Sequence, residues 1–97
     1  MLTPKQRKYL EAFAHHMKPE VYIGKNGLTP DVAASARDNI DKNELLKVKL
    51  QHACLDNKDT IVVTLAERIG AEVVHILGNT IVLFKQKREK SAYTLPR

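Results

Sequence analysis

The sequence predicts a single α/β domain of element order α-β-α-β-α-β-β, in which helices cover a mixed four-stranded sheet. Three observations lead there. Thr-Pro occurs twice, at Thr3-Pro4 and Thr29-Pro30, each time ahead of apolar residues at helical spacing. A threonine hydroxyl caps free N–H groups, and proline presets the first helical turn. Leu46-Lys47-Val48-Lys49-Leu50 alternates apolar and charged residues with the period of a strand. Gly78-Asn79 separates two β-branched runs and signals a two-residue hairpin turn.

The first helix starts at Thr3-Pro4 and must stop before Pro19, because the residue preceding a proline is pushed out of helical geometry. Leu10, Phe13 and Met17 form its core stripe, and Lys8, Glu11 and His15 its solvent face. Glu20 to Ile23 is a short strand, broken by Gly24-Lys25-Asn26-Gly27. The second helix starts at Leu28-Thr29-Pro30-Asp31 and ends by Asn43, with Val32, Ala33, Ala36 and Ile40 inward and Asp31, Asp38 and Asp41 turned away. Leu46 to Leu50 is a half-buried strand with Leu46, Val48 and Leu50 inward and both lysines outward. Residues 52–58 form a polar connection. Thr60 to Ile69 reads as helix despite its β-branched Ile61-Val62-Val63. Ile61, Leu65 and Ile69 recur every four residues, and Gly70 is a stop. Ala71 to Leu77 and Thr80 to Lys85 are the hairpin strands. Strands joined by helices should run parallel with right-handed crossovers, and the last pair antiparallel. The tail from Gln86 to Arg97 is basic and without period, so it should lie across the surface or be loose.

With 97 residues, 43% of them hydrophobic and 28% charged, the chain has the size and composition of one globular domain. Aromatic residues make up only 5% and Trp is absent, which argues against a recognition surface built mainly on stacking. The lone Cys54 excludes an intrachain disulfide and suits a reducing compartment, so a cytoplasmic location is expected. No secretory leader is visible after Met1. The longest stretch free of charged side chains, Val73 to Phe84, is too short for a membrane helix. The net charge of +5 is unevenly placed: +3 over residues 1–27, −2 over 28–84 and +4 over 85–97. If the two ends meet in space, they form a patch suited to phosphate.

The sharpest chemical feature is Gly24-Lys25-Asn26-Gly27, set between a strand and a capped helix. Glycines let a sugar-phosphate chain lie close to the backbone, the following helix offers free N–H groups, and Lys25 adds a charge; Asp31 partly offsets it. This is the physical recipe of the Gly-x-x-Gly loop that clamps a nucleic-acid backbone. No phosphate-binding P-loop is present, so ATP and GTP are disfavoured. His15, His16, His52, His75 and Cys54 are the candidate metal ligands or nucleophiles, but none has a second pair at zinc spacing, and structural or surface roles are expected. No cofactor, metal or catalytic group is therefore assigned.

Further runs add a resemblance. Leu2-Thr-Pro-Lys-Gln-Arg-Lys, Ala14-His15, Lys18-Pro19, Val21 through Thr29 and Leu46-Lys-Val-Lys49 resemble the YhbY family, small proteins built from one CRM domain (chloroplast RNA splicing and ribosome maturation). Gly70-Ala71, Val73-Val74, Gly78 through Phe84 and Leu95-Pro96-Arg97 continue it. The resemblance implies a fold like the C-terminal domain of translation initiation factor three, RNA binding, and association with precursors of the large ribosomal subunit. It places the family's Gly-x-x-Gly loop on Gly24, Lys25, Asn26 and Gly27, with Thr29 in the same matching run. It places flanking RNA contacts on Lys5, Lys8, Lys47, Lys49, Lys87 and Arg88. The expected protein is a non-enzymatic monomer that grips ribosomal RNA by backbone and shape, away from membranes. The rival reading is a protein–protein adaptor whose basic ends bind an acidic partner.

Overall fold

Both Thr-Pro pairs start helices in the computed structural model, which describes residues 2–51 and 57–96. The elements follow in the expected order: α1 Pro4–Ala14, β1 Val21–Ile23, α2 Pro30–Asn43, β2 Leu45–Leu50, α3 Lys58–Ile69, β3 Glu72–Leu77 and β4 Thr80–Phe84. Thr3 Oγ1 accepts from Gln6 N at 3.1 Å while Gln6 Oε1 accepts from Thr3 N at 2.9 Å, a closed capping box. Thr29 Oγ1 accepts from Val32 N at 3.2 Å. α3 begins two residues ahead of Thr60, because Asn57 Oδ1 accepts from both Asp59 N and Thr60 N. Gly70 ends it in the left-handed conformation at φ 68°.

The sheet order is β1-β2-β4-β3. β1 is parallel to β2, and β4 runs antiparallel to β2 and β3 on either side. β3 therefore points the same way as β2, with the last strand inserted between them. One sheet face presents Val21, Ile23, Leu46, Val48, Leu50, Ile81 and Leu83 to α2 and α3, which answer with Ala36, Ile40, Ile61, Val62, Leu65 and Ile69. The opposite face takes α1, whose Leu10 and Ala14 meet Leu45, Val74, Val82 and Phe84. Val74 reaches that cluster because the register slips between Val73 and His75, two residues facing one partner position.

Two expectations for α1 are corrected. Phe13 is 45% exposed rather than core, and Glu11 is half-buried rather than at the solvent face. The helix presents Leu10 and Ala14 to the sheet, a pair four residues apart. That rotation moves Phe13 to the flank, where its ring meets Tyr9 and Tyr93 edge-on at 5.2 Å each. It also brings Glu11 Oε1 to 2.7 Å from His75 Nδ1.

The tail is held. Tyr93 and Leu95 pack against the α1-side cluster, and Gln6 Nε2 donates to Pro96 O at 3.0 Å, so the two basic ends of the chain meet. The anchor is Glu44, a fully buried residue at φ 66° between α2 and β2. Its carboxylate accepts from Ser91 Oγ at 2.6 Å, Ala92 N at 2.7 Å and Lys87 N at 3.0 Å. Burial alone would raise the Glu44 pKa. The hydrogen bonds and the Lys87 charge outweigh it, and the carboxyl sits below its ordinary 4.5. A depressed carboxyl contributes its stabilisation fully above the unfolded value and loses it as pH falls through the folded one. Denaturant unfolding should therefore find wild type more stable than Glu44→Gln above pH 4.5. The gap should close progressively in more acidic buffer; a gap that stays constant would mean Glu44 does not anchor the tail as a carboxylate.

Candidate nucleic-acid interface

Gly24 to Gly27 forms a tight turn closed by Gly27 N donating to Gly24 O at 3.0 Å. The two glycines stand in different surroundings. Gly27 is buried and adopts φ 68°, where a side chain is strained. Gly24 lies under Gln51: a methyl group there would come within 2.8 Å of Gln51 Oε1, the end of an exposed side chain that can swing aside. Lys25 and Asn26 project between them, both exposed. Thr29 stands behind the loop, its hydroxyl capping α2, and Asp31 lies exposed in the first turn.

The loop follows β1 at the end of the sheet beyond the last turn of α1, which still flanks Leu77 and the half-buried Thr80 through Ala14 and His15 but lines nothing beside Tyr22 and Lys49. Register places Tyr22 beside Lys49, Lys49 beside Thr80 and Thr80 beside Leu77, one row across all four strands. Tyr22 is 51% and Leu77 69% exposed, and Lys49 is also open to solvent. The next row toward α1 is different. Lys47 does point to the face opposite Leu46 and Val48, but it is half-buried, and its Nζ donates to Ala14 O at 3.1 Å and Met17 O at 3.0 Å. The expectation of a free outward lysine is corrected there. α1 ends over this position with no basic residue in its own last turn, and from the sheet Lys47 supplies a positive charge to the carbonyl of Ala14, its last residue, and to Met17 O just beyond it.

Apart from Lys47, the sequence-selected residues thus fall into three groups. Gly24, Lys25, Asn26, Gly27, Thr29 and Lys49 gather at the loop end. Lys87 and Arg88 lie exposed beside Glu44, before the first residue of β2, so the length of that strand, roughly 15–20 Å, separates them from the loop. Lys5 and Lys8 are exposed on α1, whose first turn meets the end of the tail. Of the other candidates, His15 and His16 are exposed neighbours and His75 is engaged with Glu11, while His52 and Cys54 lie outside the described residues. Among the described residues no group of three His, Cys, Asp or Glu is placed to hold a metal ion. Tyr22, Gln51 and Asn79 were not selected from the sequence. Together with Lys49 and Leu50 they line a shallow depression beside the loop. Only Tyr22 carried a local signal, the polar-edged middle position of Val21-Tyr22-Ile23.

A family model, the CRS1 / YhbY (CRM) domain, matches residues 2–85. The chain belongs to the CRM-domain family. The match ends just before the basic tail. This CRM domain is 32% identical over 96 residues to Probable RNA-binding protein YqeI of Bacillus subtilis, covering 99% of this chain and 100% of that one. It is 34% identical to an RNA-binding protein of Haemophilus influenzae, covering 99% of this chain and 96% of that one. The solution structure of SAV1595 from Staphylococcus aureus, a protein suggested to bind RNA, superposes with a TM-score of 0.83 at 33% identity and covers 99% of this chain and 100% of that chain.

The two β2 lysines of this CRM domain should separate cleanly in a stability measurement. Lys47→Gln removes charge-assisted bonds to the α1 terminus and should cost about 1.5–3 kcal/mol in urea unfolding. Lys49→Gln should stay within about 0.5 kcal/mol of wild type. Equal costs for the two would contradict the capping role of Lys47.

Proposed function

We propose that this protein is a non-enzymatic RNA-binding protein that associates with precursors of the large ribosomal subunit in the cytoplasm and assists folding or maturation of their RNA. The observation that supports it best is the Gly24–Gly27 turn, which carries exposed Lys25 and Asn26 at the same end of the sheet as exposed Lys49. The names of its relatives point to the same partner. A glycine-bounded turn before a capped helix lets phosphate approach main-chain N–H groups, and the lysines supply charge without reading sequence. In this reading the protein acts as a monomer and holds one RNA conformation, with no covalent step. The large-subunit target rests on the CRM-family resemblance of the motifs.

The test replaces Lys25 and Asn26 together by Asp, keeping both glycines and the loop length. Loss of a charge-assisted contact plus added repulsion should weaken binding to a large-subunit ribosomal RNA transcript more than about tenfold. The thermal midpoint should barely move, since both side chains are exposed. Unchanged affinity in the folded double variant would remove the loop from the RNA site. Crosslinking of wild type in cells should enrich large-subunit ribosomal RNA, and enrichment of transfer or messenger RNA instead would contradict the proposed target.

A further inference from the structure

Four of the five Tyr and Phe side chains are committed to one structural cluster. Tyr9, Phe13, Tyr93 and Phe84 form a chain of edge-to-face contacts, with ring centroids 5.2–5.6 Å apart, that ties α1 and β4 to the tail. The fifth, Tyr22, has no ring contact among the described residues and leaves half its surface in water. An exposed tyrosine by itself is ordinary. Its surroundings are not. Lys49 is its direct neighbour across the parallel strands. Gln51, one residue past β2, has its carboxamide over Gly24 of the loop. Asn79 is drawn in by its own carbonyl, which accepts from Leu50 N at 2.7 Å. The ends of β1 and β2, the glycine loop and the hairpin turn therefore converge on one depression lined by Tyr22, Lys49, Leu50, Gln51 and Asn79.

From this arrangement we infer that the depression is a subsite for one unpaired nucleotide of RNA. This rests on the RNA-binding reading above and deepens it. The lining supplies a partner for each part of a nucleotide. Tyr22 offers a flat face for the base. The carboxamides of Gln51 and Asn79, unengaged among the described residues, each carry a donor and an acceptor for base edges. Lys49 on one side of the ring and Lys25 in the loop beyond β1 supply positive charge for the phosphates. No acidic residue is among the lining. A base reaches the Tyr22 face only when it is outside a helical stack, because the base faces of a duplex are covered. The loop then grips backbone and the adjoining depression selects for a nucleotide that is free, so RNA carrying unpaired residues is preferred over a continuous duplex.

The experiment compares three proteins, wild type, Tyr22→Leu and Tyr22→Phe, on two probes. One probe is a short single-stranded RNA oligonucleotide, and the other is a blunt-ended duplex containing the same strand. Binding is read by fluorescence anisotropy. Tyr22→Leu should bind the single strand at least about fivefold more weakly, the loss of one base–aromatic stack, with duplex binding unchanged. Tyr22→Phe keeps the ring and should match wild type on both probes. Wild-type affinity in Tyr22→Leu, an equal loss in Tyr22→Phe, or equal losses on both probes would each overturn the subsite. Photocrosslinking of the unmodified protein to a single strand containing iodouracil gives an answer that does not depend on a folded variant. Crosslinks should map to Tyr22, and crosslinks confined to other residues would overturn the assignment. If wild type binds neither probe, the RNA reading itself fails. If the loop double variant loses binding while Tyr22→Leu does not, only the subsite fails.

Discussion

α1 decides what the protein leaves exposed. Its 11 residues rise about 1.5 Å each, so it spans roughly 16 Å and crosses only part of a four-stranded face. The other face needs two helices, α2 and α3, to bury its apolar residues. Under α1 the sheet shows Leu45, Val82 and Phe84; beyond its end the same face changes to Tyr22, Lys49 and Thr80. The change in character follows the edge of the helix, and Lys47 stands on that edge with its ammonium bound to Ala14 O at the helix end and Met17 O just beyond it. Because α1 stops there, the open half of the sheet, the glycine loop and the hairpin turn share one surface.

At the opposite end of the sheet the chain closes on itself. Glu44 is buried at positive φ, and its carboxylate gathers three donors from a tail that has no secondary structure of its own. Tyr93 completes the fastening by joining the aromatic cluster under α1. Burial and the nearby Glu44 carboxylate raise the Tyr93 pKa, so its phenol stays protonated well into the alkaline range. The tail brings Lys87 and Arg88 to this end and its last residues to the first turn of α1. The protein thus presents exposed positive charge near both ends of β2, with the middle of the strand covered on both faces.

Element order, caps and hairpin were legible because each depends on neighbours within a few residues: a hydroxyl before a proline, a period of two, a glycine after an apolar repeat. The glycine loop was legible for the same reason. What escaped depended on contacts between segments far apart. Alternation assigns Lys47 to a side of the sheet but does not tell what packs on that side. Helical periodicity selects a stripe through Leu10, Phe13 and Met17, whereas the tail, more than 75 residues later, decides that Phe13 lies at the flank. Glu44 carries no local pattern at all, since its donors come from residues 87–92. Tyr22 was masked by an average: a low aromatic content excludes a surface built on stacking but not a single stacking position.

The central claim is that the half of the sheet left open by α1, together with the loop beside it, is the RNA-binding face. Titrating the isotopically labelled protein with single-stranded RNA and following every backbone amide by NMR tests it most directly. The shift changes should concentrate at residues 22–27, 49–51 and 77–80, with the outer surface of α2 and α3 around Arg37 and Arg68 unmoved. Changes centred on Arg37, Asp38 and Arg68, with the loop and the open row silent, would contradict it.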